Sequence, residues 1–228
     1  LLRKAVNIRF MDQNEISGNL IIPEKSTSIL VFAHGSGSTG TSYRNQVLAQ
    51  ALNNNGFSTL LFDLLTDGEK QIDSKAENIN MKIPGITFNK FNIKLLTQRL
   101  ISITEWIQNN YETKNFDIGY LGASTGAAAT LYAAARFHEV KVLVSRSGRV
   151  DMVDKQTLSC IVCPCLFIVG GNDKKVIDIN KKTLHQLKNV KNKKIEVIQG
   201  ASHLFEEQGK IQQVAKLSID WFKTFLGR

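Results

Sequence analysis

Four polar groups stand just past the ends of apolar runs. After "SILVFA" comes His34-Gly35-Ser36-Gly37, and after "DIGYL" comes Gly122-Ala-Ser124-Thr-Gly126. After "CLFIV" comes Gly170-Gly-Asn-Asp173, and after "KIEVI" comes Gln199-Gly-Ala-Ser-His203. Serine, aspartate and histidine, in that chain order, are the parts of a nucleophilic relay. A serine hydroxyl is a weak nucleophile until a base takes its proton. His203 can be that base, provided a carboxylate orients its ring and balances the charge that forms on it, and Asp173 is the natural choice.

The Gly-x-Ser-x-Gly stretch adds a geometric reason. A serine set between a strand and a helix adopts a strained backbone that exposes its hydroxyl, and the flanking glycines are required because a Cβ there would collide with the neighbouring strand or helix. The amide of Thr125 would open the next helix, where free N–H groups and the helix dipole favour negative charge. The loop at His34 would supply a second oxyanion N–H, from Ser36. Each residue also has a plainer reading. Ser124 can be a small turn residue, Asp173 a helix cap and His203 a surface histidine, but four such residues at four matching strand ends favour chemistry. His34 is expected to shape its loop, His138 to end a helix, and His185 to lie within one. The loop "VSRSGR" holds Arg146 and Arg149, and "SYRNQ" holds Arg44. Arg44 and Arg146 are candidates for gripping a substrate carboxylate. The plainer expectation is that these arginines tie loops together through carbonyls or Asp151. Glu206 and Glu207 are expected to begin or cap the last helix.

The elements that must hold these residues follow from periodicity. Short strands are predicted at Ala5–Phe10 and Gly18–Ile22, with a polar turn between them. Buried strands are predicted at Ser28–Ala33, Ser58–Asp63, Asp117–Leu121, Lys141–Ser145, Cys165–Val169 and Lys194–Ile198. Helical spacing marks 42–55, 92–109, 125–137, 178–188 and 208–226. Strands alternating with helices imply a mostly parallel sheet covered on both faces. Residues 66–92 are polar and irregular, and are expected to form a mobile loop, a small lid or a plain excursion.

Composition narrows the function. The chain has 228 residues, fits one α/β domain over 1–228, and is 43% hydrophobic and 21% charged. Its net charge is +9, but the lysines are scattered, with a modest cluster at Lys188, Lys191, Lys193 and Lys194. That pattern predicts a solvated basic surface and no nucleic-acid site, and it leaves room for an anionic substrate. No apolar run is long enough to span a membrane. Cys160, Cys163 and Cys165 form no disulfide framework and lack the second ligand pair that a zinc site needs. Reduced thiols and no recognisable export signal lead to the expectation of a cytoplasmic protein. The chain begins at Leu1 rather than Met, so its first residues say little about this.

With these motifs in place, the chain resembles the α/β-hydrolase superfamily and, within it, the dienelactone hydrolase-like group. The likeness rests on "VFAHGSGS", "YRNQ", "LLFDLLT", "GYLGASTGAAATL", "VSRSGR", "LFIVGGND" and "ASHLFEEQG", and runs over nearly the whole chain. The resemblance implies Ser124 as nucleophile, Asp173 as acid, His203 as base, and oxyanion amides at Thr125 and near Ser36. Dienelactone hydrolases proper carry cysteine at the nucleophile position, so Ser124 turns the expectation from dienelactones toward general carboxylester chemistry. Members of the subgroup sometimes occur fused behind a phosphoribosyltransferase domain, so association with such a domain is expected by family analogy only.

The reading is therefore an α/β-hydrolase fold without a large cap domain, with an open site that cleaves a small ester, lactone or thioester through an acyl-enzyme on Ser124. No metal or organic cofactor is called for, and the chain is expected to be a monomer or homodimer. Two rivals use the same fold: a catalytically silent binding module, and an acyltransferase or peptidase with the same triad.

Overall fold

A computed structural model of the chain describes residues 1–10, 14–78 and 88–227. Eight strands form one sheet: β1 (Leu2–Arg9), β2 (Glu15–Ile22), β3 (Ser28–Ala33), β4 (Ser58–Phe62), β5 (Asp117–Ala123), β6 (Val140–Arg146), β7 (Cys165–Gly170) and β8 (Lys193–Ile198). Their order across the sheet is β1-β2-β4-β3-β5-β6-β7-β8. Only β2 runs against the rest, so the two antiparallel pairings of the sheet are those it makes with β1 and β4. β1 and β2 pair with each other through Leu2↔Ile22 to Arg9↔Glu15. From β4 to β8 every pairing is parallel.

Seven helices complete the described fold: α1 (Tyr43–Asn54), α2 (Asp67–Asn78), α3 (Ile93–Asn109), α4 (Thr125–Arg136), α5 (Lys155–Cys160), α6 (Lys174–Gln186) and α7 (Lys210–Leu226). Period-two alternation along the strands sorts the two faces. Leu30 and Phe32 of β3 and Val142 and Val144 of β6 pack with Leu48 and Leu52 of α1 and Val214 and Phe222 of α7. Val31, Ala33 and Leu143 face the other way, toward Leu96, Leu100 and Ile103 of α3 and Ala127–Ala129 of α4. Every residue of β3, β4 and β7 is buried, as a strand covered on both faces requires.

This topology positions the site. From β3 the chain crosses through α1 to β4 on one side, and β5 then pairs with β3 on the other side. Successive crossovers part here, leaving a crevice beyond the carboxyl ends of β3 and β5 where ligands bind in such sheets. Ser124 follows β5, and the His34–Gly37 loop follows β3.

Two helices stand where helical spacing did not mark them. Segment 66–92 is not irregular throughout: it opens with α2 and later holds a 3₁₀ turn at Asn89–Phe91. The expectation of a mobile loop or lid also falls on 79–87, which lie outside the described residues. Asp73 is buried and accepts hydrogen bonds from the Asn89 amide at 2.9 Å and the Lys90 amide at 2.9 Å, tying the 3₁₀ turn to α2. The second helix is α5, capped by Asp154, whose carboxylate accepts the Thr157 amide at 2.8 Å. Cys160 is therefore exposed on a helix, while Cys163 and Cys165 are buried, Cys165 opening β7. The elements between β6 and β8 are short, and no cap domain interrupts them.

Candidate active site

The backbone at Ser124 is left-handed, with φ 49° and ψ −119°. A residue with a Cβ pays strain for that conformation, and such strain gathers at functional turns. The turn is held from both sides. The Ser124 amide donates to the Arg146 carbonyl at 3.1 Å, and the Ser124 carbonyl accepts from Arg149 and Ala127 at 3.0 and 3.1 Å. A Cβ on Gly122 would lie 2.5 Å from the Ala127 Cα, and one on Gly126 would lie 2.2 Å from the Ala33 carbonyl oxygen. These contacts let α4 sit directly on the sheet and start at Thr125.

Asp173 ends the β7 turn and caps α6, its Oδ1 accepting the Val176 amide at 3.3 Å. Its Oδ2 lies 2.6 Å from Nδ1 of His203. An ionised carboxylate can only accept, so Nδ1 carries the proton and Nε2 keeps its lone pair. The loop bearing His203 is pinned by Glu207, both of whose oxygens accept the Ser202 amide, at 2.9 and 3.0 Å. A Cβ on Gly170 would lie 2.3 Å from the Ser202 carbonyl oxygen, so the aspartate and histidine loops touch because that residue is glycine. Glu206 instead reaches Arg44 of α1, Nη1 to Oε1 at 3.2 Å. Neither glutamate caps the last helix as expected, for α7 starts later, at Lys210, behind Gly209.

His34 shapes its loop. Its Nε2 accepts the Leu64 amide at 2.9 Å, which leaves Nδ1 to donate to the Gly35 carbonyl at 2.9 Å. Burial lowers its pKa and keeps the ring neutral. A Cβ on Gly35 would lie 2.9 Å from the Ser124 Cβ, so this loop presses against the turn carrying the serine. Ser36 and Thr125 line one cavity of about 160 Å³ with Leu64, Leu65, Leu96 and Lys70. Lys70 is held by Asp63 and Asp67 at 2.8 and 2.7 Å, and Lys90 on the same wall pairs with Glu77.

The arginines separate. Arg149 grips Asp151 with two hydrogen bonds, at 2.9 and 3.0 Å, and so ties its own loop. Arg146 is buried and donates from Nη2 to Oδ1 of Asn45 at 3.3 Å, beside Arg44. The contribution of α2 to the cavity escaped periodicity because the helix is polar. A signal was present, since Thr66 and Glu69 form a capping box. The Glu69 carboxylate accepts the Thr66 amide at 2.8 Å, and the Thr66 hydroxyl accepts the Glu69 amide at 3.3 Å.

A mostly parallel eight-stranded sheet with serine, aspartate and histidine at its strand ends defines an α/β-hydrolase. The family model for the dienelactone hydrolase family matches residues 16–226, and the chain belongs to that family. The structure of a dienelactone hydrolase from Anabaena variabilis superposes with a TM-score of 0.89 at 40% identity, over 99% of this chain and 98% of that one. The Pyrococcus furiosus esterase Pf2001 shares the fold, with a TM-score of 0.78 at 19% identity over 99% of this chain and 94% of that one. The Mycobacterium tuberculosis protein named "Putative phosphoribosyl transferase Rv0571c" is 43% identical over 208 residues, 91% of this chain. This chain spans 43% of the length of that relative. Among the described residues no helix is long and apolar enough to cross a membrane.

Proposed function

We propose that the protein is a serine hydrolase that cleaves a small carboxylic ester, lactone or thioester through an acyl-enzyme on Ser124. The observation that carries this reading is the 2.6 Å contact of His203 Nδ1 with Asp173, in a crevice that begins at the strained Ser124 turn. With Nδ1 committed to the carboxylate, Nε2 is the free base. As Ser124 Oγ bonds to the carbonyl carbon, its proton passes to Nε2, and Asp173 stabilises the imidazolium. The oxyanion is received by the amides of Thr125 and Ser36. Collapse breaks the bond to the leaving group, which takes the proton from Nε2. Water then attacks the acyl carbon, gives its proton to Nε2, and that proton returns to Ser124. Each of these steps is served by protein groups alone. The cavity bounded by Leu64, Leu65 and Leu96 is assigned to the acyl group, since it adjoins the oxyanion amides.

The test is covalent labelling by a fluorophosphonate probe of the chain and of Ser124→Ala, followed by a panel of p-nitrophenyl esters. Labelling of the first protein alone, with ester turnover, is the expected result. A folded protein that neither labels nor cleaves any ester would overturn the reading and leave a binding module on this fold. Product that partitions to added alcohols or amines in preference to water would make it an acyltransferase.

A further inference from the structure

Asn180 is a polar side chain at a position where the core favours an apolar one. It lies on the inner face of α6 with Val176 and Thr183, and it is 0% exposed. Its Nδ2 donates to the Gly148 carbonyl at 2.9 Å and to the Val176 carbonyl, one turn back in its own helix, at 2.8 Å. Its Oδ1 is buried and has no hydrogen-bond partner among the described residues. A buried amide satisfied on one side only is unfavourable beside a leucine of similar shape. Stability therefore does not account for the asparagine. What it adds is the bond across to Gly148.

Gly148 belongs to the loop that holds the nucleophile turn. Both main-chain groups of Ser124 are bound there: its amide donates to the Arg146 carbonyl at 3.1 Å, and its carbonyl accepts the Arg149 amide at 3.0 Å. Between those two arginines, Ser147 has a left-handed backbone, with φ 45° beside 49° at Ser124. Such strained turns persist only where the surrounding structure over-determines them. The Ser147 amide is tied to the Ile168 carbonyl of β7 at 2.8 Å, and a Cβ on Gly148 would lie 2.1 Å from the Ser145 Oγ. From Gly148 the connection passes through Asn180 into α6, the helix that Asp173 caps while it holds His203. We infer that Asn180 is a positioning residue. By holding the Gly148 carbonyl it sets Ser124, through the 146–149 loop, against the Asp173–His203 pair. The inference rests on the hydrolase reading for its chemistry. Reaction rate is steep in this geometry, since a displacement of about 1 Å can cost about 10²-fold.

The experiment measures the second-order rate of fluorophosphonate labelling against pH, beside Tm, in the wild type and three variants. Asn180→Leu removes both side-chain bonds with little change of shape. Asn180→Ser is too short to reach Gly148 but can still bond the Val176 carbonyl within the helix. Val190→Ala loosens the same core beyond the end of α6, where Val190 is buried, without touching the loop. Both Asn180 variants should label roughly tenfold or more slowly on the plateau of the pH profile. The midpoint of that profile should stay in place, because Asp173 and His203 keep their contact. Val190→Ala should lose several degrees of Tm yet label within about twofold of the wild type. A plateau within about threefold of wild type in either folded Asn180 variant overturns the proposal. An equal fall in Val190→Ala also overturns it, since the effect would then be one of general stability. So does a displaced midpoint, because Asn180 would then act through the Asp173 cap and not through the loop. Should Asn180→Leu fail to fold, Asn180→Ser decides alone, and failure of both to fold would make Asn180 a residue of stability and end the proposal. The two readings fail differently. A wild type that does not label sinks the hydrolase and the positioning role together, whereas a labelling wild type with unaffected variants sinks the positioning role alone.

Discussion

Asp173 divides its carboxylate between two partners: Oδ2 lies 2.6 Å from Nδ1 of His203, while Oδ1 accepts the Val176 amide that opens α6. The helix cap and the orientation of the imidazole are therefore one arrangement. The plainer reading of Asp173 as a cap and its reading as the acid of a relay do not compete.

This shared carboxylate separates activity from stability. Asparagine caps helices about as well as aspartate, but its amide does not hold the histidine in the same tautomer. Asp173→Asn should lower kcat by roughly 10⁴-fold, on the scale of the equivalent change in other Ser-His-Asp enzymes. Its unfolding free energy should shift by less than about 1 kcal/mol. Ester kinetics beside a urea melt check both halves; a large loss of stability would mean that the carboxylate is mainly structural.

At Gly126, packing rather than chemistry is at stake. A methyl group there would lie 2.2 Å from the Ala33 carbonyl oxygen and 2.5 Å from that of His34. Both are backbone atoms, which cannot swing aside. Gly126→Ala should cost roughly 3 kcal/mol and lower Tm by roughly 6–12 °C. Calorimetry reads this directly, and an unchanged Tm would show that α4 can lift from the sheet.

Stability should depend on pH through His34. Burial lowers its pKa, so below about pH 6.5 the unfolded chain binds a proton that the folded chain resists. The contribution of the neutral ring is complete above that pH and declines as pH falls. His34→Gln keeps a donor for the Gly35 carbonyl and an acceptor for the Leu64 amide but cannot titrate. Urea unfolding at pH 7.5 and 5.5 should show a larger loss in the wild type than in the variant. Neighbouring Asp63 acts in a lower window: burial pushes its carboxyl up, but Lys70 and the Gly40 amide outweigh this and hold it below its usual value. Its contribution is lost only in stronger acid, below about pH 4.

If the cavity receives the acyl group, its size predicts an acyl preference. About 160 Å³ holds roughly five groups of water size. Each methylene buried against Leu64, Leu65 and Leu96 is worth about 0.8 kcal/mol, or about fourfold in kcat/KM. Activity on p-nitrophenyl esters should rise from acetate to butyrate and then fall for octanoate. A continued rise to octanoate would place the acyl chain elsewhere.

Much of this protein could be read along the chain. Apolar runs of six residues mark strands covered on both faces, and the turn residues that follow them mark the crevice. Each strand carried its own label, so Ser124, Asp173 and His203 could be chosen without knowing how the strands pair. The helix over Asp67–Asn78 was harder, because a polar helix exposes most of its surface and shows little apolar period. Its capping box at Thr66 and Glu69 was the available signal.

The sequence by itself determined the sheet class, the polar residues that stand at the strand ends and the need for glycine around Ser124, because strand period and turn chemistry are local properties. Only the tertiary structure decided that Arg44 meets Glu206 across 162 positions and that Arg146 lies buried beside Asn45. Those relationships depend on which strand neighbours which, and on α1 packing near the loop that carries His203. Strand order comes from the summed burial of both sheet faces, and no local stretch of sequence records that sum.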